Sequence, residues 1–350
     1  MKINFKLLKS IVETAGVSGF EGRIRKLIQK EIEQYVDDVS IDNMGNLIAF
    51  RKGESDKSVM LAAHMDEIGF IVNHIDDNGF LRFHPLGGFD PKTLTAQRVV
   101  VHGKKDLMGV MGAKPIHVMK PDERKKSVEI SDFFIDLGLP KKEVDKYVDK
   151  GNSVSRCGDL IQLGDCVNGK SLDNRISVFV LIEALKKLSK KKLPFDLYAV
   201  FTVQEEVGIR GAQVATQAIQ PDFGLAIDTT IAYDVPGSVA HEQVTVLGDG
   251  PAIKIMDSSA IADYRMIDYL KTAASEQKIK YQVELLPAGG TDTAMVQRMT
   301  KSGSIAGAVS IPTRHIHQVI ESCHTNDVGN AVNLIVEAVL KMDQYNWLHQ

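Results

Sequence analysis

The sequence predicts an α/β protein in which alternating strands and helices are interrupted by a small, β-rich second domain. Three observations carry this expectation. Apolar runs too continuous for half-exposed strands, "SVMLAAHMDEIGFIV", "FDLYAVFTV" and "FGLAIDTT", alternate with stretches of helical apolar spacing, as strands covered on both faces do. From about residue 69 to 164 the alternation gives way to short strands punctuated by Gly, Pro and Asp-Asn-Gly, as in "HIDDNGFLRFHPLGGFD" and "RVVVHGKKDLMGVMG". At 350 residues the chain exceeds what one small core serves. The expected units are therefore 1–68 joined with 165–350, and an inserted 69–164.

Taken in order, residues 4–14 put Phe5, Leu8, Ile11 and Val12 on one helical face. A second helix is expected in "VSGFEGRIRKLIQKEIEQYV", where Ser18 and Glu21 have capping-box spacing and Ile24, Leu27, Ile28 and Ile32 line one side. "VSIDNMGNLIAFRKG" and "SVMLAAHMDEIGFIV" read as strands joined by a polar turn, and a short charged helix falls near "KKEVDKYVDKG". Beyond the insert, "DNRISVFVLIEALKKL" is helical, "FDLYAVFTV" and "FGLAIDTT" are buried strands, and "SSAIADYRMIDYLKTAASEQKI" is a long helix. "YQVELLPAGGTD", "SIAGAVSIPTRHIH" and the closing helix "DVGNAVNLIVEAVLKMDQY" complete the pattern.

Composition narrows the function. With 44% apolar and 25% charged residues the chain is ordinary globular material, and a formal charge of −3 leaves no electrostatic footprint for nucleic acid. The lysines of "KKLSKKKLP" sit at a helix end, where they complement the helix dipole. Cys157, Cys166 and Cys323 form neither an even disulfide framework nor a tight zinc pair, which implies a reducing compartment. No signal-type apolar region opens the chain and no apolar run approaches the ~18 residues of a spanning helix. A cytoplasmic protein without membrane partners is expected.

In an open α/β sheet, functional groups gather beyond the carboxyl ends of the strands. Those ends here carry His64, Met65 and Asp66 after "VMLAA", Glu205 and Glu206 after "LYAVFTVQ", and Asp228 after "GLAI". Asp173 opens a helix, and "AVSIPTRHIH" delivers His315 and His317. Alone, each has an ordinary reading: Asp173 as a helix cap, Asp228 as a turn residue, the histidines as structural and the glutamates as solvated. Together they supply the histidines and carboxylates that two hard-to-borderline cations require.

Residues i and i+2 on an extended segment point the same way, so Asp66 can hold the His64 ring nitrogen that faces away from a metal. Adjacent Glu205 and Glu206 point to opposite sides, so a turn there would let one bind metal while its neighbour serves as a general base. The glycine pairs of "PLGGFD" and "AGGTDTA" match no phosphate loop and read as turns, with Asp292 a candidate for substrate positioning. Serine-hydrolase chemistry lacks its Gly-x-Ser-x-Gly elbow.

Taken together, "AAHMDEIGF", "LDNRISVFVLIEAL", "FTVQEEVGIRGA", "AIDTT", "GGTDTA" and "SIPTRHIH" closely resemble the di-metal aminopeptidases that include glutamyl, deblocking and tetrahedral aminopeptidases, in the same order over nearly the whole chain. The resemblance implies a zinc-peptidase-like catalytic domain, a central mixed sheet flanked by helices, interrupted by a small β-rich, barrel-like dimerisation domain. It implies two divalent ions per subunit, zinc or cobalt, with Asp173 bridging, His64 and Asp228 on one ion, and Glu206 and His317 on the other. Glu205 would be the general base and Asp66 would orient His64. Substrates would be peptides shortened from the amino terminus, with an acidic preference among the options, and dimers would assemble into a hollow tetrahedral dodecamer. Three features depart from the family pattern. Gln318 and Val319 follow the last ligand histidine, Asn174 follows the bridging aspartate, and Ser177 replaces a usual glycine. His315 and His324 compete with His317, which aligns without a gap, and Glu321 falls where the family has a glutamate. Two rival readings are a glycoside hydrolase, which needs two carboxyls flanking a bond and no histidines, and a non-catalytic oligomeric descendant, which would have a broken ligand set.

Overall fold

A computed structural model describes residues 3–349, so residues 1, 2 and 350 of the expected outer unit lie outside it. Eleven strands form one large mixed sheet. Its middle is four parallel strands in the spatial order Asp196–Thr202, Ser58–His64, Phe223–Ile231 and Ile305–Arg314. Antiparallel strands extend it on both sides, Leu47–Arg51 and Asp38–Ile41 at one edge and Glu321–His324, Cys166–Gly169 and Ile161–Leu163 at the other. Ala252–Met256 and Gln282–Leu285 branch from the 305–314 strand.

The two-residue period of a strand sorts the core. Along Ser58–His64, Val59, Leu61 and Ala63 join the larger apolar cluster, with the helices Phe5–Glu13, Leu172–Leu188 and Thr325–Leu340. Met60 and Ala62 face the other layer, where Ala215 and Val296 come from the helices Arg210–Ile219 and Thr293–Arg298. Cover on both faces explains the unbroken apolar runs in the sequence.

The insert closes a six-stranded barrel, in the order Gly69–Ile75, Leu81–Leu86, Phe134–Asp136, Asp106–Gly112, Arg98–His102 and Ser153–Arg156. It has its own core around Phe70, Phe83, Val99, Val101, Phe133 and Ile135. The last barrel strand ends at Arg156 and Ile161–Leu163 already pairs in the large sheet, so the changeover comes before residue 164.

Two helices start later than their periodicity suggests. The second begins at Gly22, and Ser18 and Glu21 form no capping box. Instead, Ser18 Oγ donates to Asp66 Oδ2 at 2.7 Å, and Glu21 Oε1 accepts from Gly19 N at 2.7 Å. The helix expected from Ser258 runs Tyr264–Glu276, capped by Asp263, whose carboxylate accepts from Arg265 N at 2.9 Å. Upstream, Asp257 Oδ1 draws in the amides of Ser259 and Ala260 at 2.8 and 2.9 Å, a local turn that competes with helix.

The turn after the 196–202 strand is tightly packed. A Cβ on Gly211 would stand 2.3 Å from Asn46 Oδ1 and 2.4 Å from the Val203 carbonyl oxygen. Gly211→Ala is therefore expected to overpack this turn and cost about 1–3 kcal/mol of stability, seen as a lowered melting midpoint by circular dichroism. Gly22→Ala, whose Cβ would meet nothing nearer than 3.8 Å, should leave the midpoint unchanged or higher.

Candidate active site

The parallel strands bring the expected residues into one row. Thr202 pairs with His64 and Asp228 with Ser310, while the register Ala62–Ala226 sets His64 level with Asp228. Asp173 joins them from the entry to the Leu172–Leu188 helix, where Asp173 and Asn174 have non-helical dihedrals and a cis peptide between them. His317 arrives from the loop beyond Arg314, in the left-handed region with φ of 62°.

Asp173 stands at the centre. Its Oδ1 lies 3.3 Å from His64 Nε2 and its Oδ2 lies 3.4 Å from His317 Nε2. His64 Nε2 is also 3.7 Å from Asp228 Oδ1, and His317 Nε2 is 3.3 Å from Glu206 Oε2. Two trios result, His64 with Asp173 and Asp228, and Asp173 with Glu206 and His317, the ligand atoms of each within 4.8 Å of one another. Four-coordinate zinc, with bonds of about 2.0–2.1 Å, separates its ligand atoms by about 3.3–3.4 Å. The donors are thus spaced as ligands of one ion would be, and imidazole with carboxylate suits zinc, cobalt or manganese.

Glu205 belongs to neither trio, although its Oε2 comes within 3.8 Å of His64 Nε2. Its burial, together with Asp228 and Glu206 and against the pull of His64, holds its carboxyl well above the usual range. Burial likewise raises Glu206 and Asp228. For His317, burial opposes the charged form, but Glu206 and Asp173 outweigh it and push the imidazole up to about 11. Four carboxylates against two histidines leave the cluster short of positive charge, which divalent cations would supply.

The aim of the two glutamates comes from Asp66. Its Oδ1 accepts from Glu205 N at 3.0 Å and its Oδ2 from Glu206 N at 3.3 Å, while Oδ1 lies 3.5 Å from His64 Nδ1. Gln204, with φ of 53°, makes the bend, and the Glu205 carbonyl closes the turn by accepting from Gly208 N and Ile209 N at 2.9 and 2.8 Å.

A layer of buried charge lies beneath. Glu67 accepts from Gly16 N at 3.0 Å, meets Lys170 Nζ at 2.5 Å and Arg175 at 3.4 Å, and accepts from Ser171 Oγ. Burial works against its charge, yet Lys170 and Arg175 hold its carboxyl at about 2. Glu321 accepts from Asp173 N at 2.8 Å and His317 N at 3.1 Å, so one carboxylate fixes the backbone of two cluster residues. Sequence reasoning missed Glu67, whose only signal is its place beside Asp66, and Ser18, whose capping-box spacing points to a helix start instead of to Asp66.

Other candidates fall elsewhere. His315 is exposed on the cavity rim, and His324 caps the final helix by accepting from Asn326 N at 3.2 Å. Asp292, expected to position substrate, is 2% exposed and accepts from Thr202 Oγ1 at 2.5 Å. It lies under the cluster and is absent from the cavity wall among the described residues. Asn174 donates to the Ile227 carbonyl at 2.9 Å, tying the helix entry to the strand that carries Asp228.

Known proteins share this arrangement of chain. Residues 45–334 match the M42 glutamyl aminopeptidase family. The lysyl aminopeptidase of Pyrococcus furiosus is 33% identical over 97% of this chain and 99% of its own length. A TET aminopeptidase structure from the marine sediment archaeon Thaumarchaeota archaeon SCGC AB-539-E09 has a TM-score of 0.94 at 36% identity, over 97% of this chain and 96% of that one. The Pyrococcus horikoshii TET1 peptidase, described as able to assemble into a tetrahedron or a large octahedral shell, has a TM-score of 0.86 at 33% identity, over 96% and 99% of the two chains. With fold, residues 45–334 and a full-length relative in agreement, the chain belongs to the M42 glutamyl aminopeptidase family of metal-dependent aminopeptidases.

Proposed function

We propose that Asp173 bridges two divalent cations, zinc or cobalt, one held with His64 and Asp228 and the other with Glu206 and His317, and that Glu205 is the general base. The observation that carries this reading is the division of Asp173, one carboxylate oxygen beside each histidine at 3.3 and 3.4 Å. When bound, such cations polarise the scissile carbonyl and make water acidic enough to attack. Glu205, buried at the edge of the cluster and outside both trios, takes the proton of the attacking water and returns it to the departing amine. Asp66 keeps Glu205 and Glu206 aimed through their backbone amides. A cavity of about 750 Å³ opens over the cluster and receives the amino-terminal residue of a peptide. A glycosidase fits poorly, because both glutamates hang from one carboxylate and Glu206 is engaged by His317.

Assembly belongs to the same reading: a homo-oligomer whose barrel domains pair into dimers and whose dimers build a tetrahedral dodecamer. Met108, Val110, Ile116 and Val118 support it as large apolar side chains exposed on the barrel unit. The assemblies named for the Pyrococcus horikoshii peptidase point the same way. A reducing, cytoplasmic setting suits the three unpaired thiols, and no helix among the described residues is long and apolar enough to cross a membrane.

Three outcomes test these roles. Glu205→Gln should lower kcat by about 10²–10⁴ while elemental analysis finds the metal content unchanged, and near-full peptidase activity in that variant would sink the base assignment. Chelation should abolish turnover and added zinc or cobalt restore it, with about two ions per chain in the wild type and about one in His317→Ala. Light scattering should report a mass several times that of one 38.5 kDa chain, and Ile116→Asp should shift the protein to smaller species.

A further inference from the structure

Beyond the cluster, the cavity runs along a wall supplied by Ile209, Ile231, Ala232, Tyr233, Val235 and Leu286. Among the described residues, two more charged side chains reach this space outside the cluster and its histidines, Lys254 and Asp257. Both are committed elsewhere. Lys254, 2% exposed, holds Nζ 2.9 Å from Glu284 Oε1 and 3.1 Å from Asp257 Oδ2. Asp257 is saturated: Oδ1 accepts from Ser259 N, Ser259 Oγ and Ala260 N at 2.7–2.9 Å, and Oδ2 also accepts from Thr291 Oγ1 at 3.0 Å. Glu284 is entirely buried, paired to Lys254 across neighbouring strands.

An acidic side chain entering here would have to draw Lys254 away from a buried carboxylate and leave that charge uncompensated. A basic side chain would need a free carboxylate outside the metal cluster, and Asp257 has no acceptor position to spare. An aliphatic side chain asks for neither and removes apolar surface from water. We infer that the cavity selects peptides whose first residue carries an uncharged, apolar side chain, and that Glu284 sets this preference by neutralising Lys254. The inference rests on the aminopeptidase reading of the same site and departs from the glutamyl preference that the family description suggests.

The test uses the metal-loaded, full-length enzyme and the p-nitroanilides of Leu, Met, Glu and Lys. Leu or Met should exceed both Glu and Lys by about tenfold or more in kcat/KM. Glu284→Gln, which leaves Lys254 one partner short, should raise the Glu-to-Leu ratio of kcat/KM by about tenfold, mainly through KM, while metal content stays as in the wild type. Glu or Lys leading in the wild type overturns the inference, as does an unchanged ratio in a Glu284→Gln variant that melts like the wild type. Should that variant fail to fold, the wild-type ranking decides by itself. No turnover of any of the four overturns the aminopeptidase reading and the inference with it, a result separable from cleavage with the wrong ranking.

Discussion

One carboxylate sets the terms for the rest of the molecule. Asp173 must offer its two oxygens to two histidines that come from opposite ends of the chain, His64 on a central strand and His317 in a loop after residue 314. That demand fixes where the helix entry lies against the sheet, because a carboxylate serves two groups only if its plane lies between them. The surroundings hold it there from several directions. Glu321 accepts from the Asp173 amide, Asn174 donates to the Ile227 carbonyl, and the preceding Ser171 Oγ donates to Glu67. The backbone around Asp173 is tied to the same strands whose ends carry His64 and Asp228.

Holding a concentration of negative charge inside a protein requires a matching layer of buried partners, and the structure has one on each side. Glu67 is compensated by Lys170 and Arg175, Glu321 faces Arg156 at 3.7 Å, and Lys254 sits between Glu284 and Asp257. Such pairs contribute little net stability against an apolar core of equal volume, but losing one member leaves a stranded charge. Their physical role is positional: Glu67, Lys170 and Arg175 lie within three residues of Asp66 or Asp173 in the chain, and Glu321 holds the amides of Asp173 and His317. The same logic sets Asp66 apart from the two trios. It spends its oxygens on Ser18 Oγ and the amides of Glu205 and Glu206, which makes it a clamp on the turn that aims both glutamates.

How much of this was legible in the sequence depended on how local the governing physics was. The parallel strands announced themselves because burial on both faces leaves continuous apolar runs, and strand ends are where a sheet collects chemistry; His64, Glu205, Glu206 and Asp228 followed from that alone. Ser18 and Glu21 misled because capping-box spacing is a local signal, while the partner that captured Ser18 was Asp66, 48 residues away. The helix expected at Ser258 began late because Asp257 offered nearby amides a competing acceptor. Asp292 carried the right chemistry but lay under the site, where Thr202 takes its carboxylate, and depth below a surface leaves no mark on a motif. Glu67 was hidden for the opposite reason: beside two more conspicuous residues, its partners Lys170 and Arg175 lie more than a hundred positions away.

The place of the insertion follows from the same centre. The chain leaves the large sheet just after His64 and Asp66, builds the barrel from Gly69 to Arg156, and returns to deliver Asp173. The barrel therefore begins and ends beside the cluster. Its last strand ends in Arg156, 1% exposed, which donates to the Gln318 carbonyl and, at 3.3 Å, to Ser171 Oγ, while approaching Glu321 at 3.7 Å. Those three contacts touch the His317 loop, the residue before Leu172, and the carboxylate that holds the amides of Asp173 and His317. A barrel attached through a flexible linker would leave the buried Glu321 without its cation and the 315–320 loop without an anchor. The arginine at the end of the final barrel strand thus makes the second domain a structural part of the first domain's site, and links whatever the barrel packs against to the loop that carries His317.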